Sequence, residues 1–219
     1  MKKQYHWFNH LFNFLAVILG VYLAFYINER AKTNQDRQEK RVLMQSLIED
    51  LDEDISTYED YQILENAKIQ QDINKLMQEL NSDNQKGISE QLPSVLQVES
   101  YMPTSSTYTS MKSAGKLTLL DNLELQKALS DFYEGLVVET ELKGQYQVDY
   151  FTDDILSWYS LNVDMLNMQL MEDANLTVFK NKLLIYQSLL DQKIETYKMV
   201  VRDSKALKSE IESLLEENR

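Results

Sequence analysis

The chain has 219 residues, 43% of them apolar and 26% charged, with five Gly, two Pro and no Cys, a composition that favours long helices and excludes disulfides and thiolate metal sites. The net charge is −13; residues 1–27 carry two Lys and no acid, so residues 28–219 hold 20 basic and 35 acidic side chains, or −15. So acidic a surface repels nucleic acid, and we expect no nucleic-acid partner.

The first feature along the chain is an apolar run. After a short flank at residues 1–6, residues 7–27 read WFNHLFNFLAVILGVYLAFYI and contain no Lys, Arg, Asp or Glu. A helix of this length spans about 32 Å, which matches the hydrocarbon core of a bilayer. The run lacks a following small-x-small cleavage site, unlike a signal peptide, and the rest of the chain is too polar to bury it as a core helix. We predict a retained transmembrane helix with membrane lipid around it.

Small residues recur every fourth position within this helix, at Ala16, Gly20 and Ala24. They share one helical face, and small residues at this spacing let two helix backbones approach closely in lipid. The pattern predicts self-association, and therefore a homo-oligomer or a complex with other membrane proteins. The alternative is that Ala and Gly are simply common in membrane spans.

Polar residues stand at the start of the same helix, at Asn9, His10 and Asn13. Such groups contact lipid headgroups or neighbouring helices, so we predict intramembrane polar contacts here. His6 and His10 have the four-residue spacing of metal ligands, but no Glu, Asp or Cys joins them. We therefore expect no metal and no cofactor.

Residues 28–81 are predicted to continue the membrane helix as a stalk. No Gly or Pro interrupts them, and from Val42 to Leu80 apolar residues recur every three or four positions. The segment 82–104 contains both Pro residues of the chain and is predicted to be a loop that reverses the chain direction.

Residues 105–219 are predicted to form a helical domain that packs on the stalk. Thr104 or Ser105 is a candidate cap for a short helix, which Gly115 ends in a left-handed conformation. Asp121 is the predicted cap of the following helix, because an acidic residue stands three positions further on.

Two more helical patterns complete the chain. An aromatic-rich face extends to about residue 160 and is interpreted as core, with an aromatic-lined ligand pocket as the alternative. After a looser stretch, Asn175 is the predicted cap of a final helix at residues 176–217, long enough to lie antiparallel along the stalk. The predicted fold is all-α: a transmembrane helix that continues into the stalk, and an antiparallel, coiled-coil-like helical bundle outside the membrane.

Two stretches carry a resemblance to a known family. They are FLAVILGVYLAFYINERAK at residues 14–32 and STYTSMKSAGKLTLLDNLELQKALSDFYEGL at residues 106–136. The first resembles the anchor, and the second the central motif, of a bacterial family of uncharacterised single-span membrane proteins. The resemblance implies an N-terminal anchor with a helical extramembrane domain in a bacterial inner membrane, and it implies no activity.

The second stretch also contains a candidate site for an anion or a partner, at Lys112, Ser113 and Lys116. A short turn between two helices with two Lys in an acidic body has the chemistry to hold an anion or a partner. The competing interpretation is a purely structural corner.

Two cues on orientation conflict. The count of Lys and Arg after the span favours a cytoplasmic C-terminal domain, whereas a short, basic, acid-free N-terminus is typical of an anchor whose bulk is exported. We expect a single-pass protein with a periplasmic C-terminal domain, and the cytoplasmic orientation is the alternative.

The function expected from these features is a membrane-anchored interaction, scaffold or sensor protein without catalytic activity. Beyond residue 27 the chain has no His and no Cys, and its Gly residues are scattered, so no nucleophile–base pair, metal cluster or phosphate loop stands out. The alternative function is an accessory or pore-forming subunit of a channel or transporter.

Overall fold

The computed structural model of the protein describes residues 4–217, except for the side chains of Gln4, Tyr5, His6 and Asn9. Within this range the chain is mostly helical. Helix α1 spans Gln4–Thr57, a π-helical turn spans Tyr58–Gln62, and α2 spans Ile63–Ser82, so one helical path runs through all three. At about 1.5 Å per residue this path is close to 120 Å long.

The start of α1 differs from everything that follows it. All described side chains of residues 7–27 are exposed, although nearly all are apolar. By length and composition, this is the one helix in the described range that is long and apolar enough to cross a membrane. From Met44 onward the same helix has a buried face, which shows that the amphipathic pattern of the sequence becomes packing only beyond the apolar run.

The connection after α2 is more ordered than the predicted loop at 82–104. Asp83 adopts a left-handed conformation that ends α2, and Asn84 caps α3 (Gln85–Gln91) by accepting a hydrogen bond from the N–H of Gly87 at 3.3 Å. A 3-10 turn then spans Leu92–Val95. Residues 96–105 then follow without helix or strand. The connection is more ordered than predicted because Asn84 supplies a cap that composition alone does not reveal.

Helix α4 spans Ser106–Ser113 and is followed by Gly115 with φ of 67°, as predicted. A 3-10 turn leads to α5 (Leu123–Ser130). The prediction that Asp121 caps α5 is wrong. Asp121 is itself left-handed with φ of 51°, whereas Asn122 is extended and its side-chain oxygen accepts from the N–H of Leu125 at 2.9 Å.

The path from α5 continues as far as residue 162. A π-helical turn at Asp131–Leu136, α6 (Val137–Tyr150), a second π-helical turn at Phe151–Leu156 and α7 (Ser157–Asn162) follow one another without a break. The predicted helix up to about residue 160 is therefore confirmed, although Tyr146 of the predicted aromatic face is exposed.

A small hairpin departs from the all-α prediction. Strands β1 (Val163–Asp164) and β2 (Gln169–Leu170) pair antiparallel in the stretch where the helical pattern loosens. Helix α8 then spans Leu176–Glu217, and the side chain of Asn175 accepts from the N–H of Val178 at 3.1 Å, so the predicted cap and start of this helix are confirmed.

Helix α8 packs along α1 and α2 with its residue numbers running in the opposite direction. Polar pairs across the contact show the order: Lys208 with Asp52, Lys205 with Glu59, Asp191 with Gln70, and Gln187 with Asn74. The end of α8 consequently lies beside residues 37–44, close to the apolar run, and its start lies at the far end of α2.

Two apolar clusters make up the core. The first joins α1, α4, α5 and the later half of α8 and includes Leu47, Met111 and Ile211. The second joins α2, α3, the residues from Phe151 to Val163 and the earlier half of α8. Buried polar residues lie along the helices between these clusters; they include Gln62, Asn66, Thr140, Gln147, Lys193 and Thr196.

Candidate functional site

The predicted contact residues of the apolar helix are open to their surroundings. Ala16, Gly20 and Ala24 are exposed on one helical face, and a Cβ added to Gly20 meets nothing within 4 Å. His10 and Asn13 are exposed as well, whereas the side chain of Asn9 lies outside the described residues. Nothing in the described part of the chain covers this face.

The second predicted site, Lys112, Ser113 and Lys116, does come together at the turn around Gly115. Both ammonium groups already have acidic partners: Lys112 donates to Glu134, which also accepts from the hydroxyl of Tyr108, and Lys116 donates to Glu39. The hydrogen bonds from Lys112 and, to a smaller extent, from Tyr108 hold the pKa of Glu134 below its usual value. An anion at this turn therefore has to displace a carboxylate.

Sequence reasoning missed a buried polar site around the irregular segment 97–104. One side of the segment lies against α8, from which three side chains spaced seven and four residues apart reach its backbone. The contacts are Tyr186 Oη to the carbonyl of Gln97 at 3.0 Å, Lys193 Nζ to the carbonyl of Glu99, and the N–H of Tyr101 to Tyr197 Oη at 3.4 Å.

The other side of the segment is held by α1 and the π-helical turn that follows it. Asp54 Oδ1 accepts from Tyr101 Oη at 3.1 Å and from the N–H of Thr104 at 2.8 Å. Tyr58 Oη donates to the carbonyl of Tyr101 at 3.4 Å, and the Tyr58 ring lies 4.6 Å from the Tyr197 ring, centroid to centroid. Tyr101 thus joins the two longest helical paths of the molecule.

Helix α6 closes the third side of the segment. Gly144 faces it so closely that an added Cβ lies 2.9 Å from Ser100 Oγ. One turn later, Gln147 donates to Tyr186 Oη at 2.6 Å and accepts from Lys193 Nζ at 2.6 Å. The buried amide of Gln147 therefore uses both its donor and its acceptor within this site.

Two ionisable groups of the site are perturbed by burial. Loss of water raises the pKa of Asp54 to about 6, although its hydrogen bonds from Thr104 and Tyr101 oppose the rise. Loss of water lowers the pKa of Lys193 to about 7, against the attraction of the Glu99 carboxylate. Since both residues are fully buried, neither is accessible to a substrate, and their direct effect is on stability.

A signal for Lys193 exists in the sequence. Ten of the thirteen buried residues of α8 follow one another in alternating steps of four and three: Phe179, Leu183, Tyr186, Leu190, Lys193, Tyr197, Val200, Ser204, Leu207 and Ile211. If only apolar residues are assigned to the core, Ile194 takes the place of Lys193 and the repeat is interrupted, because Lys193 and Ser204 are polar. A lysine at a core position of an otherwise regular repeat is the observation that points to this site.

The described residues contain no group of three or more His, Cys, Asp or Glu side chains placed to hold a metal ion. In comparisons with known proteins, residues 13–153, which are 141 of the 219, match the family described as "Family of unknown function (DUF6090)". The matched range runs from the apolar helix through the segment 97–104 and into the second π-helical turn of the α5–α7 path. No curated protein and no solved structure matches the chain.

Proposed function

The chain belongs to the DUF6090 family of unknown function, and we propose that it is a membrane-anchored interaction protein. One apolar helix holds it in a bilayer, and a stiff, acidic, helical body acts as a scaffold or sensor beside the membrane. It works as a homo-oligomer or within a larger membrane complex, with lipid and protein as its partners, without nucleic acid and without catalysis.

The observation that carries the proposal is the exposure of every described side chain in residues 7–27. Apolar surface in water costs about 25 cal/mol per Å², so a helix with exposed apolar side chains on every face needs another solvent. Lipid is that solvent, and the length of the run suits a bilayer. Because no other part of the described chain covers the run, this exposure also argues against a core helix.

The design of the body supports a scaffold. The regular alternation of buried positions along α8 and its opposite direction to α1 and α2 favour an antiparallel bundle of coiled-coil character. Segment 97–104, held on three sides, fixes α1, α6 and α8 to one another. A body tied together in this way suits the transmission of a position or a load.

Self-association is proposed to use the face of Ala16, Gly20 and Ala24. The chain has no Cys, so single-Cys variants have no background. We expect Gly20→Cys to form disulfide-linked dimers in oxidised native membranes, whereas Ile18→Cys, on the opposite face, forms few. Equal cross-linking at both positions, in protein that carbonate does not extract, overturns this interface. Release of the intact chain into the soluble fraction overturns the anchor itself.

We propose a bacterial inner membrane as the location, with the C-terminal domain in the periplasm. The exposed Ser157 offers a test of orientation. In intact cells, Ser157→Cys is expected to react with a membrane-impermeant maleimide, and a variant with Cys at Lys2 is expected to react only after lysis. The reverse pattern establishes the cytoplasmic orientation.

A second function, a subunit that forms or lines a pore, is favoured by the exposed polar groups of His10 and Asn13 on an otherwise apolar helix. Since a single span encloses a pore only as an oligomer, this function depends on the same self-association. Ion flux in reconstituted vesicles is its test, and flux that Asn13→Leu leaves unchanged excludes the pore.

A further inference from the structure

The hairpin between α7 and α8 presents apolar side chains to solvent. Leu166, in its turn, is 95% exposed, and Leu161, just before it, is 73% exposed. Met165 and Met171 are exposed on either side of the same turn. These four residues are called the distal tip. Burial of one leucine side chain stabilises a protein or a complex by about 1.5–3 kcal/mol. A contact that covers the distal tip would therefore be favourable.

The distal tip is held in place from beneath. The carboxylate of Asp164 accepts hydrogen bonds from the N–H of Leu166 at 3.0 Å and from the side chain of Asn167 at 2.7 Å, and these bonds lower its pKa. Val163 is buried in the second apolar cluster, and the N–H of Met171 donates to the carbonyl of Asn162 at 2.9 Å. Leu166 therefore projects from a fixed turn, and binding through it needs little ordering.

The segment that carries the distal tip has charges of one sign, and the next basic residues, Lys180 and Lys182, lie on α8, where Lys182 pairs with Asp154. Residues 144–179 contain six acidic side chains and no Lys or Arg. Asp164, Glu172 and Asp173 lie within the hairpin or directly after it. An apolar centre with a carboxylate rim is complementary to a surface that carries apolar anchors among basic groups. Methionine adds adaptability, because its unbranched thioether fits varied partner surfaces.

The distal tip lies too far from the anchoring membrane to be covered by it. The hairpin adjoins the start of α8, and the 55 residues from 28 to 82 place the far end of α2 roughly 80 Å along the helix from the apolar run. The acidic rim also repels anionic lipid. A second copy anchored in the same membrane places its own basic residues 30–41 near the bilayer, out of reach of the tip.

We propose that the distal tip is a docking site for a basic, amphipathic segment of a partner protein, with Leu161 and Leu166 as the apolar anchors and Asp164, Glu172 and Asp173 as the charge rim. This inference deepens the proposed function by naming the chemistry of one partner. It concerns residues beyond 153, outside the family match.

The test uses the full chain in nanodiscs of zwitterionic lipid and a fluorescent synthetic amphipathic helix of Lys and Leu as probe. Fluorescence anisotropy is expected to show saturable binding that Leu161→Ser with Leu166→Ser weakens at least tenfold. The matched control is Val138→Ser with Leu142→Ser, two exposed apolar residues on α6, which leaves binding unchanged. Circular dichroism and the melting temperature of both variants establish that each is folded.

Three results overturn the proposal. One is equal loss in the two double variants. Another is equal binding of a scrambled Lys and Leu peptide without an apolar face, which reduces the interaction to net charge. The third is that the tip variant lowers the oligomeric mass, which makes a second copy the occupant. Carbonate extraction and Cys cross-linking in the membrane report on the anchor independently, so failure of docking and failure of the proposed function are distinguishable.

Discussion

Nζ of Lys193 lies 2.6 Å from Oε1 of Gln147 between the two apolar clusters, and neither residue has exposed surface. The second acceptor of Lys193 is the carbonyl of Glu99. Both acceptors are neutral dipoles, so they compensate only part of the cost of burying an ammonium group. This cost is why the pKa of Lys193 falls to about 7, and it makes the stability of the chain depend on pH.

The free energy of unfolding is expected to rise between pH 7 and pH 9.5. Lys193 has a pKa of about 7 when folded and about 10.4 when unfolded, so the unfolded state binds more protons in this interval and stability grows with pH. Lys193→Met is expected to remove a rise on the order of 3 kcal/mol. Urea unfolding of the detergent-solubilised chain measures it, with the exposed Lys198→Met as control. An unchanged slope in Lys193→Met contradicts a near-neutral pKa.

At lower pH, Asp54 is expected to make the free energy of unfolding fall as the pH rises. Its pKa is about 6 when folded and about 3.9 when unfolded, so the folded state binds more protons and its stabilising effect is lost as the pH rises from 4 to 6. Other carboxylates titrate in the same range, so the quantity to compare is the difference between wild type and Asp54→Asn. The difference in free energy of unfolding between these two proteins is expected to change by about 2–3 kcal/mol across the interval. The corresponding difference between wild type and Glu53→Gln, a variant of an exposed neighbour, should stay constant.

Alanine substitutions at two glycines in the α5–α7 path distinguish the effect of packing on stability from that of helix propensity. Gly135 has open space around its Cα, so Gly135→Ala is expected to stabilise the chain by about 0.5–1 kcal/mol. Gly144 faces the hydroxyl of Ser100, which has to rotate away from an added Cβ, so Gly144→Ala is expected to lose part or all of that gain of about 0.5–1 kcal/mol. Ser100→Gly should restore Gly144→Ala in a double-mutant cycle measured by chemical denaturation. If Gly144→Ala is as stable as Gly135→Ala, segment 97–104 is not tightly held.

Local signals in the sequence were sufficient for several features. Asn175 followed by a long regular pattern predicts the start of α8, and Gly115 predicts the left-handed end of α4, because each effect is confined to one turn of helix. Segment 97–104 was missed for the opposite reason. Tyr101 donates its N–H to Tyr197, a residue 96 positions further along the chain, and no local sequence pattern predicts such a partner. Apolar periodicity also passes over polar core residues such as Lys193.

The corner between α4 and α5 supports one further prediction, because two neighbouring residues compete for the role of cap. Asn122 is extended and its oxygen accepts from the N–H of Leu125, so Asn122→Ala is expected to cost about 1 kcal/mol. Asp121 is left-handed with φ of 51° and forms only a 3.5 Å ion pair with Lys40, so Asp121→Gly is expected to stabilise by up to about 1 kcal/mol.

Asn175→Ala serves as the reference for these two variants, because this residue caps α8 through the same contact to the N–H of Val178, three positions on. Equilibrium unfolding of the full chain should therefore place Asn122→Ala beside Asn175→Ala and Asp121→Gly on the other side of wild type. The assignment fails if Asp121→Gly destabilises the chain and Asn122→Ala leaves it unchanged, since the carboxylate of Asp121 then stabilises the helix start. The order of the two variants, more than the size of either effect, decides which residue begins α5.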